Sequence, residues 1–190
     1  MADFDDLIDT LKRTAALLRE ADVPHLLGGG LAAWARGGPE TEHDLDLMVP
    51  PEHADRALAA LQRAGFRAAK PPEGWLYKAW DGDTLVDIIF RPSGVDVDDA
   101  MFQRAEELDV HAIRMKVMSL EDVLVTKLLA MREHEVDYDN VLEIARALRE
   151  QIDWDDVRRS TQHSPYARAF FYLGEELGVL SAPSGASREP

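Results

Sequence analysis

The chain has 190 residues, 46% of them hydrophobic, which suits an ordinary globular core with room for an appended subdomain. Its 36 acidic and 21 basic side chains leave a formal net charge of −15 at pH 7, which argues against strong nonspecific binding to nucleic acid, where phosphate contacts dominate. With no cysteine, disulfides, zinc–thiolate sites and thiol nucleophiles are excluded. No apolar run approaches the roughly 18 residues of a membrane span. The acidic opening Met1–Asp6 lacks a signal-peptide layout, so the expectation is a cytoplasmic protein with no membrane partner.

Helical spacing of Phe4, Leu7, Ile8, Leu11, Ala15 and Leu18 predicts an amphipathic helix over residues 4–21. Pro24 opens a strand through Leu27, and the glycines that follow lead into a short helix over residues 31–34. Residues 44–49 read as a second strand, stopped by Pro50 and Pro51. A helix with Ala54, Ala57, Leu58 and Leu61 on one face runs to Gly65. Strands are expected over residues 66–69, 75–80 and 85–90, with Asp81-Gly82-Asp83 as a hairpin turn. A helix over residues 97–108 and a strand over 110–117 come next. Ser119-Leu120-Glu121-Asp122 resembles a capping box and starts a helix striped by Leu120, Val123, Leu124, Leu128 and Met131. Helices near 138–150, 153–162 and 165–178 complete the pattern, and the tail from Ser181 is expected to be disordered. The seam falls near Val117, giving a core over 1–117, a helical subdomain over 118–180 and a tail over 181–190.

Within the second strand, Asp44 and Asp46 are one residue apart and therefore share a face, while Leu45 and Leu47 point the other way. Two carboxylates forced together repel unless a cation neutralises them or one is protonated. Hard oxygen ligands on one edge suit Mg²⁺, which keeps several waters and binds substrate phosphates as well. Asp87 interrupts the otherwise apolar run Leu85–Phe90, and a lone carboxylate there is costly without a partner or metal. Lys127 falls in the apolar stripe of its helix, where a charge needs a partner or a wet head group.

Gly-Gly-x, then Asp-x-Asp at a strand start, then a single Asp in a later strand resembles the DNA-polymerase-β-like nucleotidyltransferase superfamily. The segment Met118–Ala130, followed by Asp137 and Asp139, is similar to the helical part of nucleotidyltransferase-like toxins of bacterial abortive-infection and toxin–antitoxin systems. The likeness covers residues of about 24–150. It implies an α/β (α+β) fold, with a mixed β-sheet flanked by helices and a C-terminal helical subdomain. It also implies metal-dependent transfer of a nucleoside monophosphate from an NTP, such as ATP, to an acceptor, with release of pyrophosphate. By position, Gly29 and Gly30 match the glycine turn that faces the triphosphate. Asp44, Asp46 and Asp87 match the acids that hold two Mg²⁺ ions, with Mn²⁺ as the alternative metal, and Asp87 is the candidate for taking the acceptor proton. Lys127 matches a lysine near the nucleotide. The acceptor classes are a small molecule, tRNA or a partner protein. The chain departs from the pattern at Gly30, where many relatives have Ser or Thr, and at Glu40-Thr41-Glu42, where many have an Arg. Arg36 is the candidate to supply that charge. A catalytically inactive binding module of the same fold is the alternative reading.

Other readings of the same residues fail on spacing or geometry. Gly28-x-Gly30-x-x-Ala33 matches a dinucleotide fingerprint, but its acid would sit at the far end of the second strand, whereas Asp44 and Asp46 open theirs. No Gly-Lys-Ser/Thr follows the glycines, so there is no P-loop. His134-Glu135 lacks a zinc-protease partner histidine, and His43 is the one histidine adjacent to the acids. Arg146, Arg149, Arg158, Arg159 and Arg168 form the best patch for an anionic acceptor, and otherwise read as solvated helix faces.

Overall fold

A computed structural model of the chain describes residues 4–41 and 44–181. The expectations for His43 and for the tail beyond Ser181 lie outside these residues. The described residues divide into two compact units, one ending at Ser119 and the other beginning at Leu120.

The first unit opens with α1 (Phe4–Glu20), which buries Leu7, Ile8, Leu11, Ala15 and Leu18 and carries Asp5 and Asp6 in its first turn. Carboxylates there complement the positive end of the helix dipole. There follow β1 (Leu26–Leu27), α2 (Gly29–Trp34), β2 (Leu45–Met48), α3 (Pro51–Arg63), β3 (Arg67–Ala69), β4 (Leu76–Asp81) and β5 (Thr84–Ile89). A short helix α4 (Asp99–Arg104), β6 (Glu106–Val110) and β7 (Ile113–Val117) complete it. Pro51 begins α3, where its missing N–H costs nothing, and Gly65 at φ +95° ends the following turn.

The strands form one mixed sheet in the order β3-β4-β5-β2-β1-β7-β6. β2 runs parallel to β5 and β1 parallel to β7, and the other pairs are antiparallel. Helices α1 and α3 pack together and against the central strands. Leu45, Leu47, Val86, Ile88 and Ala79 are fully buried, and they alternate with the residues of the opposite face. His25 is half-buried: its Nδ1 lies 2.9 Å from the Val23 carbonyl, and burial holds its pKa below the usual histidine range.

The expected helix over 97–108 is a correction. Asp98 caps α4 by accepting from the Met101 N–H at 2.9 Å, but the helix stops at Arg104. Residues 106–110 instead pair with β7 through a two-residue turn in which His111 (φ 46°) and Ala112 (φ 68°) are both left-handed. β6 is an edge strand whose Glu106, Glu107 and Asp109 are exposed, so burial writes almost no alternation into its sequence.

The second unit holds α5 (Leu120–Ala130), α6 (Tyr138–Leu148), α7 (Trp154–Thr161) and α8 (Pro165–Glu176). Asp137, Asp153 and Ser164 cap the last three by accepting from the N–H groups of Asn140, Asp156 and Ala167. Its core is built on Phe170 and Phe171, whose ring centroids are 5.5 Å apart with Trp154 beside both. Among the described residues no helix is long and apolar enough to cross a membrane.

Candidate active site

β2 and β5 run parallel in a register that makes Asp46 the direct partner of Asp87. Direct partners in a sheet share a face, so the two carboxylates stand side by side. Asp44, two residues ahead of Asp46, is half-buried, and its charge reaches Asp87. On the far flank of Asp87, the β4–β5 hairpin register pairs it with Lys78. The Lys78 ammonium donates to both carboxylate oxygens, at 3.1 and 3.3 Å. One row therefore crosses three strands in the order Lys78, Asp87, Asp46.

Asp87 is 8% exposed, and burial pushes its carboxyl above the usual carboxylate range. The Lys78 hydrogen bond and charge oppose that rise, and the Asp44 charge adds to it. An aspartate held this way is a stronger base than one in water.

The glycine turn closes the other end of the row. The Gly28 N–H donates to the Asp46 carbonyl at 2.9 Å. Gly29 adopts φ +57°, and a Cβ there would lie 1.7 Å from the Asp46 Oδ2, so only glycine lets the backbone pass. At Gly30 a Cβ would lie 2.7 Å from the Thr41 Oγ1. Thr41, itself 9% exposed, already fills the volume that a serine at position 30 would need. This is the physical reason for the glycine at that departure.

Arg36, the candidate to supply the missing charge, is engaged within the sheet unit. Its guanidinium binds Glu106 at 2.8 Å and the Met118 carbonyl at 3.0 Å, tying the end of α2 to the end of β7. Lys127, in α5 of the helical unit, is half-exposed and lines a groove there with Met131, Glu135, Asp137 and Asn140. Of the arginines considered for an anionic acceptor, Arg158 pairs with Glu175 at 2.6 Å and Arg159 with Asp156 at 2.7 Å.

Sequence reasoning missed Lys78. The signal was available: the tight turn at Gly82-Asp83 pairs Asp81 with Thr84, and counting back from it sets Lys78 opposite Asp87.

A family model described as an uncharacterised nucleotidyltransferase matches residues 5–175. The chain belongs to that family. Solved structures share the fold. The antibiotic-resistance factor ANT(2'')-Ia is 18% identical, with 88% of this chain and 94% of that one covered at a TM-score of 0.62. A lincosamide antibiotic adenylyltransferase, bound to lincomycin, is 13% identical over 80% of this chain and 96% of that one, with a TM-score of 0.52. An antigenic nucleotidyltransferase-like protein from Paracoccidioides brasiliensis is 16% identical over 90% and 94%, also at 0.52. Comparison with curated proteins finds no match.

A divalent cation is implied by such a fold. The donor set suits one by chemistry, because Asp46 and Asp87 offer hard oxygens on one side of the sheet and the Asp44 charge reaches Asp87. Among the described residues, however, no group of three or more His, Cys, Asp or Glu stands close enough together to hold an ion. The Asp87 carboxylate faces the Lys78 ammonium instead.

Proposed function

We propose that this nucleotidyltransferase moves a nucleoside monophosphate from an NTP to an acceptor hydroxyl or phosphate at the row of Asp44, Asp46 and Asp87. The observation that carries the reading is the side-by-side pairing of Asp46 with Asp87, with the Gly29 backbone pressed against Asp46. Two carboxylates at this spacing in a half-buried strand oppose folding unless a cation recovers the cost.

Asp44, Asp46 and Asp87 would hold two Mg²⁺ or Mn²⁺ ions, which supply charge stabilisation to the attacking and leaving oxygens of an in-line displacement. The N–H groups of Gly29 and Gly30 would orient the triphosphate. Asp87, made more basic by burial, accepts the proton of the acceptor hydroxyl. The acceptor oxygen bonds to the α-phosphorus as the bond to the β-phosphate bridging oxygen breaks, and pyrophosphate leaves. Lys127 is assigned to the β- and γ-phosphates on the likeness of residues 118–139 to toxin-system nucleotidyltransferases. The antibiotic adenylyltransferases among the fold relatives favour a small-molecule acceptor, and the toxin likeness favours tRNA or a partner protein.

The test is a screen of the four NTPs with Mg²⁺ or Mn²⁺ for pyrophosphate release, run against pools of small molecules and RNA. Release that depends on both metal and acceptor is expected. Nucleotide binding with no turnover against any pool would instead support an inactive binding module.

A further inference from the structure

Asp87 has an acid on one flank and an ammonium on the other, both as direct register partners. Its carboxylate side chain is 11% exposed and that of Lys78 is 31% exposed, so the pair is sheltered on the aspartate side and open on the lysine side. A charge-assisted contact to both oxygens of a half-buried carboxylate is among the stronger polar contacts available to a protein. Any cation that bridges Asp46 and Asp87 must take carboxylate oxygens from this ammonium or sit against its charge.

We infer that Lys78 is an internal counter-ion of the acid row, which a divalent cation must displace from Asp87 before the site can close. This rests on the metal-dependent reading above and adds to it a control on metal uptake. The long, partly exposed stem of Lys78 lets its head group swing to solvent while the β4 backbone stays paired. Displacement by a bare ion is then unfavourable. An ion arriving with a triphosphate brings compensating negative charge, consistent with the reluctance of Mg²⁺ to shed water for an all-protein cage. Lys78 thus couples metal binding to nucleotide binding: without nucleotide the lysine neutralises Asp87, and with nucleotide the metal replaces it. The coupling is reciprocal, so metal and nucleotide each raise the affinity of the other by the same factor.

The experiment is a titration of the full chain with Mn²⁺, without nucleotide, followed by electron paramagnetic resonance of the free ion and by calorimetry. Wild type is compared with Lys78→Met, which keeps the stem volume, with Lys78→Gln, and with Asp87→Asn as the background for binding elsewhere on this acidic surface. Far-UV circular dichroism checks each fold. Lys78→Met and Lys78→Gln are expected to bind Mn²⁺ roughly five- to thirtyfold more tightly than wild type at the Asp87-dependent site, the loss of one partly exposed charge-assisted contact. Nucleotide should raise Mn²⁺ affinity less in the variants than in wild type. Equal or weaker Mn²⁺ affinity in both folded lysine variants, with Asp87→Asn still abolishing that site, would overturn the counter-ion role and leave the metal reading intact. No Asp87-dependent Mn²⁺ site in any variant, even with nucleotide, would overturn the metal reading and the inference with it.

Discussion

In the helical unit charges stand at the ends and rims of secondary structure. Asp137 and Asp153 cap helices, Arg159 pairs within one turn of Asp156, and Arg158 lies over the Phe171 ring while it binds Glu175. In the sheet unit, Asp46, Asp87 and Lys78 stand mid-strand, at positions where an apolar residue would be cheaper. Capping and surface pairing stabilise a fold modestly and are interchangeable among sequences. Carboxylates set side by side within strands weaken it, and their presence indicates a task beyond folding. The contrast supports placing the proposed chemistry in the sheet unit, and it can be tested by removing charges from each unit in turn.

The largest effect is expected at Asp46. Asp46→Asn should reduce nucleotidyl transfer by roughly a thousandfold or more, about 4 kcal/mol of transition-state stabilisation. The same change should leave metal-free thermal stability unchanged or raised, because it removes repulsion toward Asp87. Differential scanning calorimetry in chelator-treated buffer checks the second half. A clear fall in melting temperature would make Asp46 a structural acid and erase the contrast between the units.

Next in size is the turn beside it. Gly29→Ala must hold a methyl group at φ +57° against the Asp46 carboxylate. The combined backbone and overlap cost should be roughly 2–4 kcal/mol, read as a shift in the urea midpoint. Combining Gly29→Ala with Asp46→Ala should recover part of that cost, since the colliding carboxylate is gone. No recovery would place the strain in the backbone alone.

In the helical unit the informative residue is Lys127. Lys127→Met keeps the volume of the stem and removes the charge. NTP affinity by calorimetry in Mg²⁺ or Ca²⁺ should fall about ten- to a hundredfold, the worth of one charge-assisted contact. Equal affinities would leave Lys127 as a lysine of its own groove beside Glu135 and Asp137, with all the helical unit's charges serving structure.

The contrast also explains what could be read from the chain beforehand. Burial writes periodicity, so α1, α3, β2, β4, β5 and the four C-terminal helices were legible from their apolar spacing. The acids were legible for the opposite reason: Asp87 breaks the apolar run of β5, and Asp44 and Asp46 repeat at strand period. β6 was misread because an exposed edge strand imposes no pattern, and its turn uses two left-handed residues, His111 and Ala112, without a glycine to signal it. Lys78 was legible only indirectly, by counting back from the Gly82-Asp83 turn to its register partner Asp87. Thr41 carries no signal of its own, because it acts by filling the space beside Gly30, a relation that exists only once the chain is folded. Arg36 looked like a phosphate ligand because a guanidinium near a glycine turn has two uses, and only the fold shows it bound to the Met118 carbonyl and Glu106.

The smallest expected effect is a pH dependence of metal-free stability that isolates Asp87. Its carboxyl is raised in the folded state, chiefly by burial, above the 3.8 of an unfolded aspartate. The folded chain therefore holds this proton more tightly than the unfolded chain does. Stability from this group is fully present below pH 3.8 and is lost as pH rises through the folded value. At neutral pH the ionised carboxylate is a net cost, even with Lys78 beside it. Asp87→Asn, which cannot ionise, should then be more stable than wild type at pH 7. The advantage should shrink as the two proteins are compared at progressively lower pH toward 4. Urea unfolding of both proteins across that range, in chelator, measures the difference directly. An advantage that grew toward low pH would carry the opposite sign and mean that the Lys78 pair outweighs burial. Asp87 would then be an ordinary structural ion pair like those of the helical unit.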